Sequence, residues 1–152
     1  MSEGKRPGGL TALAVFNFIF TGLSLISILG LAALLAFIGK VPTDKMEPAA
    51  KAQIEALQNI GTGMYLIILI LTLVSGTLLL LSGIGYLKQK RFLGWCLGNI
   101  YGVAAVIGNT IMAFVFPAEL GGGFNIARII DLIYPILTLI LINTTFKDDL
   151  TN

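Results

Sequence analysis

The sequence predicts an all-α fold, a four-helix transmembrane bundle with both termini cytoplasmic and a short outer helix between spans one and two. Two observations lead to this prediction. Charged residues make up 12% and hydrophobic residues 56% of the 152 residues, whereas an ordinary soluble domain carries about 25% charged residues. Four separate apolar stretches also reach the length of about 20 residues that a helix needs to cross a bilayer. We therefore expect a single integral membrane domain, residues 1–152.

The four predicted spans cover residues 11–37, 64–86, 92–116 and 126–146. The side of a membrane protein that is richer in Lys and Arg near the span ends faces the cytoplasm. Six basic residues fall on one side of the predicted bundle and four on the other, namely Lys5, Arg6, Lys88, Lys90, Arg91 and Lys147 against Lys40, Lys45, Lys51 and Arg128. This bias predicts that both termini lie in the cytoplasm.

The outer loop of residues 40–63 connects the first two spans. Pro48 suits the first position of a helix because that position needs no N–H donor. Ala50, Ile54 and Leu57 would then share one face of the helix. Such a helix would either lie on the outer membrane surface or cap the bundle. A solvated linker that contains a short helix explains the loop equally well.

Residue types on which many enzymes depend are scarce in this chain. It has no histidine and one cysteine, Cys96. The first absence excludes imidazole catalysis, histidine-ligated haem and nearly all zinc sites, and a single cysteine excludes an intramolecular disulfide. The net charge of +2 is too small to indicate a nucleic-acid partner. The sequence therefore predicts a protein that is not an enzyme and has no catalytic residue, metal or cofactor.

Span three contains three glycines spaced four residues apart, Gly94, Gly98 and Gly102. That spacing places them on one helix face, where another backbone can approach closely. Two interpretations remain open: packing against other helices of the same chain, which we favour, or an interface between copies of the chain. Asn99 and Asn109 on the same span would either hydrogen-bond between helices or mark a polar path.

Span four holds the strongest candidate for a functional site. Arg128, Asp131 and Pro135 project from about one side, since residues three and four apart share a helix face. Ionisable residues inside a span mark functional sites by default. We favour a structural ion pair between Arg128 and Asp131 near the outer interface. A transport site is the alternative, and its polar neighbours would be Asn99, Asn109 and Asn17.

Three segments resemble those of a known group of proteins: RPGGLTALAVFNFIF near the N-terminus, GYLKQKRFLGWCLGNIY around the start of span three and YPILTLILINTTFKDDL near the C-terminus. With these segments the chain resembles uncharacterised small bacterial four-span inner-membrane proteins over nearly its whole length. The resemblance implies a multi-pass protein of the bacterial inner (plasma) membrane. It implies no activity, site residue or cofactor.

We expect a non-enzymatic integral membrane protein that acts through helix–helix association, as an accessory or assembly component. The alternative is a small proton- or ion-coupled transporter or channel centred on Asp131 and Arg128. In both cases the expected partners are the lipid bilayer and either a second copy of the chain or another membrane protein, but no nucleic acid. A transporter requires a continuous polar cavity that reaches Asp131, whereas an assembly protein requires a dry core and an exposed groove of small residues.

Overall fold

The computed structural model describes residues 7–43, 46–115 and 123–150. Its helices are α1 (Gly8–Phe37), α2 (Pro48–Asn59), α3 (Thr62–Leu87), α4 (Leu97–Val115) and α5 (Ile126–Asn143), with a 3-10 turn at Ile38–Lys40 and a π-helical stretch, Arg91–Cys96, that leads into α4. All except α2 are long and apolar enough to cross a membrane when the π-helical stretch is counted with α4. The predicted all-α four-span architecture is therefore confirmed, and the chain is a multi-pass membrane protein.

The observed helix boundaries differ from the predicted ones at both ends of the chain. α1 begins at Gly8, directly after Pro7, rather than at residue 11. α5 ends at Asn143 rather than at residue 146. The chain turns after Asn143 and packs Phe146 back into the buried core of the bundle. Other predicted features lie outside the described residues: Lys5, Arg6, Lys45 and Phe116.

The four spanning helices pack as neighbours in pairs. α1 packs along α3, α4 packs along α5, and the turn after α3 brings α4 against α3. Both ends of the described chain meet at one end of this bundle, around a cluster of buried apolar side chains: Leu10, Leu13, Ala14, Tyr86, Ile142, Phe146 and Leu150. We call the half of the bundle that contains this cluster the closed half. Close packing holds it together, because lipid tails are as apolar as these side chains and the hydrophobic effect between spans is weak.

The connection between α3 and α4 brings two backbone segments into direct contact. A Cβ atom on Gly85 would lie 2.6 Å from the Gly94 Cα atom and closer still to the Gly94 nitrogen. The π-helical stretch supports this approach, since the Lys90 N–H donates to the Gly85 carbonyl (2.9 Å) and the Gly94 N–H donates to the Lys90 carbonyl (2.7 Å). Gly85 is therefore required here, because any side chain at this position would occupy the space of the Gly94 backbone.

α5 begins with a side-chain cap and contains a proline. The Asn125 side chain accepts a hydrogen bond from the Arg128 N–H at 3.0 Å, which satisfies one of the donors of the first turn. Pro135 is buried inside the helix. Because proline has no N–H, the Asp131 carbonyl loses its usual intrahelical donor. The backbone of α5 thus presents an additional acceptor beside the Asp131 side chain.

α2 begins at Pro48, as predicted. Gln58 Nε2 donates to the Ile38 carbonyl at 2.8 Å, and the Tyr65 hydroxyl donates to the Leu57 carbonyl at 2.7 Å. None of the residues of α2 is buried. The helix is therefore attached through its last turn to the 3-10 turn after α1 and to the start of α3, and most of its surface is exposed.

Candidate functional site: a cavity between the spans

An open cavity of about 490 Å³ lies between the spanning helices, in the half of the bundle away from the closed half. All four spanning helices contribute to its wall. The residues that determine its chemistry are Ser24, Thr72, Asn109 and Asp131 along the wall and Phe20, Tyr101 and Tyr134 at the bottom. Its volume is within the range of about 300–1,000 Å³ that is typical of small-molecule pockets.

Aromatic rings form the floor of the cavity, on the side of the closed half. Phe20, Tyr101 and Tyr134 are among the lining residues that lie nearest to the closed half along α1, α4 and α5. The ring centroids of Phe20 and Tyr134 are 4.5 Å apart, and those of Tyr101 and Tyr134 are 6.4 Å apart. These separations are those of packed aromatic pairs, so the three rings form one connected surface.

A hydrogen-bonded layer lies directly below this floor. Asn17, which is fully buried, donates from Nδ2 to Ser82 Oγ at 2.7 Å, and its Oδ1 accepts from the Tyr134 hydroxyl. The Tyr134 hydroxyl also lies 3.3 Å from the Leu13 carbonyl oxygen. Asn17 therefore links α1 with α3 and α5. It lies beneath the floor rather than beside Asp131, and it reaches the cavity only through Tyr134.

Asp131 lines the cavity and is the only acidic residue in the four spanning helices. The predicted ion pair between Asp131 and Arg128 is wrong: among the described residues, the one ion pair within 4.0 Å joins Lys51 and Glu55 on α2. Arg128 instead directs Nη1 toward Asn109 Oδ1, 3.4 Å away. Asn109 thus presents an acceptor to Arg128 from the neighbouring helix α4, whereas the Asp131 carboxylate is exposed in the cavity.

Two hydroxyl groups continue the polar wall on α1 and α3. Ser24 Oγ donates to the Phe20 carbonyl at 2.9 Å, and Thr72 Oγ1 donates to the Ile68 carbonyl at 2.8 Å. Hydroxyls in membrane helices commonly donate to the backbone of their own helix in this way. Since the single hydroxyl proton is used, both oxygens can only accept hydrogen bonds from a ligand in the cavity.

Asn99 lies outside the cavity, in a separate network of the closed half. Its Nδ2 donates to the Trp95 carbonyl at 2.8 Å, and its Oδ1 accepts from Asn143 Nδ2 at 2.6 Å. Trp95 Nε1 donates to Asn143 Oδ1 at 3.0 Å. About 15 Å of helix separates Asn99 from Asn109 at 1.5 Å per residue. Asn99 therefore fastens α4 to α5 and does not belong to the Asp131 site.

The three glycines predicted for helix packing all lie at close contacts inside the chain. Their positions are Gly94, Gly98 and Gly102. A Cβ atom on Gly94 would lie 2.9 Å from Leu150 Cδ2, and one on Gly102 would lie 2.5 Å from Leu139 Cγ. A Cβ atom on Gly98 would overlap the Tyr86 hydroxyl oxygen. Because these side chains fill the space that the glycines leave, the glycine face of span three is not exposed as a groove for a second copy of the chain.

Most residues that line the cavity are missing from the sites that the sequence predicts, among them Thr72, Ser75, Tyr101 and Tyr134. A signal for two of them is present, since Thr72 and Ser75 stand three apart in an apolar span, as Ser24 and Ser27 do. Two such polar stripes can face each other across a cavity. Whether they do depends on how each helix is rotated in the bundle, which the periodicity of one span does not determine.

In comparisons with known proteins, no family model, no curated protein and no solved structure matches the chain. The function must therefore be inferred from the cavity. A wall with one carboxylate and a few polar groups among apolar side chains, above an aromatic floor, is suited to a positively charged group. A negatively charged group would be repelled by Asp131.

Proposed function

We propose that the protein is a small proton- or ion-coupled transporter or channel of the bacterial inner membrane, in which the transported cation passes Asp131. One observation supports the proposal above all: the only carboxylate of the spanning helices opens into a cavity that all four of them line. A charged side chain inside a membrane is energetically unfavourable, and such residues mark ion and substrate pathways. The cavity reaches Asp131, and its wall combines polar and apolar side chains.

The layer around Asn17 would supply the barrier that a transporter or a gated channel needs. On the proposed path, an ion that moves from Asp131 toward the closed half would have to cross this layer, which the hydrogen bonds of Asn17 to Ser82 and Tyr134 hold together. Tyr134 lies one turn from Asp131 on the same helix, about 4.5 Å along its axis. A cation bound to Asp131 would therefore lie about one helical turn from Tyr134. Through this proximity, α5 would couple cation binding to the opening of the layer.

Helix–helix association is the second candidate function, and the outward face of α5 favours it. Apolar side chains are exposed along this face and do not line the cavity: Ile129, Ile133, Ile136, Leu137 and Ile140. They border a shallow apolar depression. Lipid tails, a second copy of the chain or a helix of another membrane protein would fill it by close packing. As an accessory or assembly component, the protein would then use α5 rather than the glycines of α4 as its contact surface.

The proposal includes an orientation in which both termini are cytoplasmic and the cavity opens to the outer side. It rests on the distribution of Lys and Arg near the span ends. A reporter domain fused after Asn152 is expected on the cytoplasmic side, and one inserted at Gln53 on the outer side. An outer location for the Asn152 fusion would contradict this orientation and would make the cavity open toward the cytoplasm.

Replacing Asp131 with asparagine is expected to abolish cation flux through the protein reconstituted in liposomes. The amide has nearly the same shape as the carboxylate, but it cannot balance the charge of a cation in the cavity. Fluxes of H⁺, Na⁺ and K⁺ are measured with ion-sensitive dyes under an imposed gradient, and the Asp131→Asn variant should fall to the level of protein-free liposomes.

Glu55→Gln is the matched control for this experiment. It makes the same chemical change on α2, at an exposed residue outside the cavity, and should keep the wild-type flux. Wild-type flux through the Asp131→Asn variant would contradict a path that passes Asp131. A wild-type protein that moves no cation at all would leave helix–helix association as the function to test.

A further inference from the structure

We infer that the ligand of the cavity is a monovalent organic cation, an ammonium group that carries an apolar substituent. The inference rests on the proposed function and names its substrate class. Three features of the cavity point to this chemistry: a single carboxylate, an aromatic floor one helical turn below it, and a volume much larger than that of a bare ion.

The charge of the cavity wall matches one positive charge. Among the described residues that line the cavity, Asp131 is the only charged one; Arg128 is directed toward the cavity residue Asn109 but does not line the cavity itself. The oxygens of Ser24 and Thr72 add acceptors, because their protons already bond the backbone. A divalent cation would keep an unbalanced charge in a low-dielectric environment, and an anion would meet the carboxylate. The cavity therefore favours a ligand with a single positive charge.

The aromatic floor provides a second contact for a cation bound at Asp131. Asp131 and Tyr134 lie three residues apart on one side of α5, about 4.5 Å along the helix axis. The Phe20 ring packs against Tyr134 at 4.5 Å, and both residues line the same cavity as Asp131. Aromatic faces attract cations within about 6 Å of the ring centroid, and quaternary ammonium groups are bound in this way. A tetra-substituted ammonium, which has no N–H to donate, fits such a surface.

The volume of the cavity is larger than a bare inorganic ion requires. Its volume is about 490 Å³, whereas a dehydrated metal cation is held by a cage of oxygens at about 2.0–2.6 Å. The rest of the wall is apolar and includes Leu23, Leu71, Val74, Met112 and Ile130. An apolar substituent on the ammonium would fill this part of the cavity. It would also exclude water, which strengthens the attraction between the ammonium and the carboxylate.

Benzyltrimethylammonium is the probe for this inference, because it joins a quaternary ammonium to one apolar ring. Its binding to the full chain in lipid nanodiscs is measured by equilibrium dialysis. Na⁺ and 3-phenylpropionate, which has a similar ring and the opposite charge, serve as competitors. We expect saturable binding that neither competitor displaces, and a dissociation constant at least about tenfold higher for Asp131→Asn. Glu55→Gln should bind like the wild type.

Two variants at Tyr101 test the contribution of the floor. Tyr101→Phe keeps the ring and should bind like the wild type, whereas Tyr101→Leu should weaken binding by about three- to thirtyfold, the scale of a cation–π contact. The melting temperature of each variant shows whether it is folded. If Tyr101→Leu does not fold, Phe20→Leu makes the same test from α1.

Several outcomes would overturn the inference. These are unchanged binding of benzyltrimethylammonium in Asp131→Asn, displacement of the probe by either competitor, and equal binding by the phenylalanine and leucine variants. A protein that moves H⁺ or Na⁺ through Asp131 without binding the probe would also overturn it, although the proposed function would then stand with an inorganic cation. If neither flux nor binding depends on Asp131, the proposed function and the inference both fail.

Discussion

Gly85→Ala is expected to lower the free energy of unfolding by about 3 kcal/mol or more, the upper end of the range for overpacked sites. The added Cβ would overlap the Gly94 nitrogen and would lie 2.6 Å from the Gly94 Cα atom. These are backbone atoms, which cannot move away by a change of rotamer. At Gly98 and Gly102 the added atom would meet side chains, which have more freedom to adjust. The ends of α3 and α4 would therefore have to separate.

Thermal unfolding in detergent, followed through the fluorescence of the single tryptophan, Trp95, measures this effect. Gly108→Ala is the matched control, since a Cβ atom there has no neighbour within 4 Å. This control should be neutral or should stabilise the protein by up to about 1 kcal/mol, because alanine favours a helix over glycine. Equal melting temperatures for the Gly85 and Gly108 variants would contradict the backbone contact between α3 and α4.

Asn17→Leu is expected to lower the free energy of unfolding by about 1–3 kcal/mol, although leucine is the more apolar residue. The Asn17 side chain is fully buried and hydrogen-bonds to Ser82 and Tyr134 on two other helices. Hydrogen bonds between membrane helices contribute about 0.6 kcal/mol on average and up to about 1.7 kcal/mol. Removing the amide takes two such bonds away and leaves the Ser82 hydroxyl buried without this partner.

A double-mutant cycle isolates the hydrogen bond between Asn17 and Ser82. The free energies of unfolding of Asn17→Leu, Ser82→Ala and the double variant are compared under the same detergent conditions. Because the two side chains are in direct contact at 2.7 Å, the double variant should lose less stability than the sum of the single variants. Strictly additive effects would mean that this bond does not help to hold the layer below the cavity.

The helices could be predicted because their signals are local. Span length and apolar composition are read from consecutive residues, and Pro48 marks the first residue of α2 without reference to any other part of the fold. The end of α5 could not be predicted in the same way. Phe146 is apolar and extends the span by composition, but it contacts Gly9 at the other end of the chain, and that contact requires the backbone to leave the helix earlier.

The candidate site could be predicted only in part, because its geometry depends on contacts between helices. Asp131, Pro135 and Asn109 do line one cavity. The spacing of Arg128 and Asp131 shows that they share one side of α5. It does not show that Asn109, on another helix, offers Arg128 a hydrogen-bond acceptor. The same limit applies to Asn99, which shares a span with Asn109 and lies in a different environment.

Cysteine accessibility tests most directly whether Asp131 lies in an open cavity above a closed layer. In a Cys96→Ala background, one cysteine is placed at Thr72 in the cavity wall, at Ser82 below the floor or at Ile133 on the outward face of α5. In lipid nanodiscs both membrane surfaces meet a charged methanethiosulfonate reagent, so the result is independent of orientation. We predict rapid labelling of Thr72→Cys and none of Ser82→Cys or Ile133→Cys. Protection of Thr72→Cys, or equal labelling of Thr72→Cys and Ser82→Cys, would contradict the cavity and its closed floor.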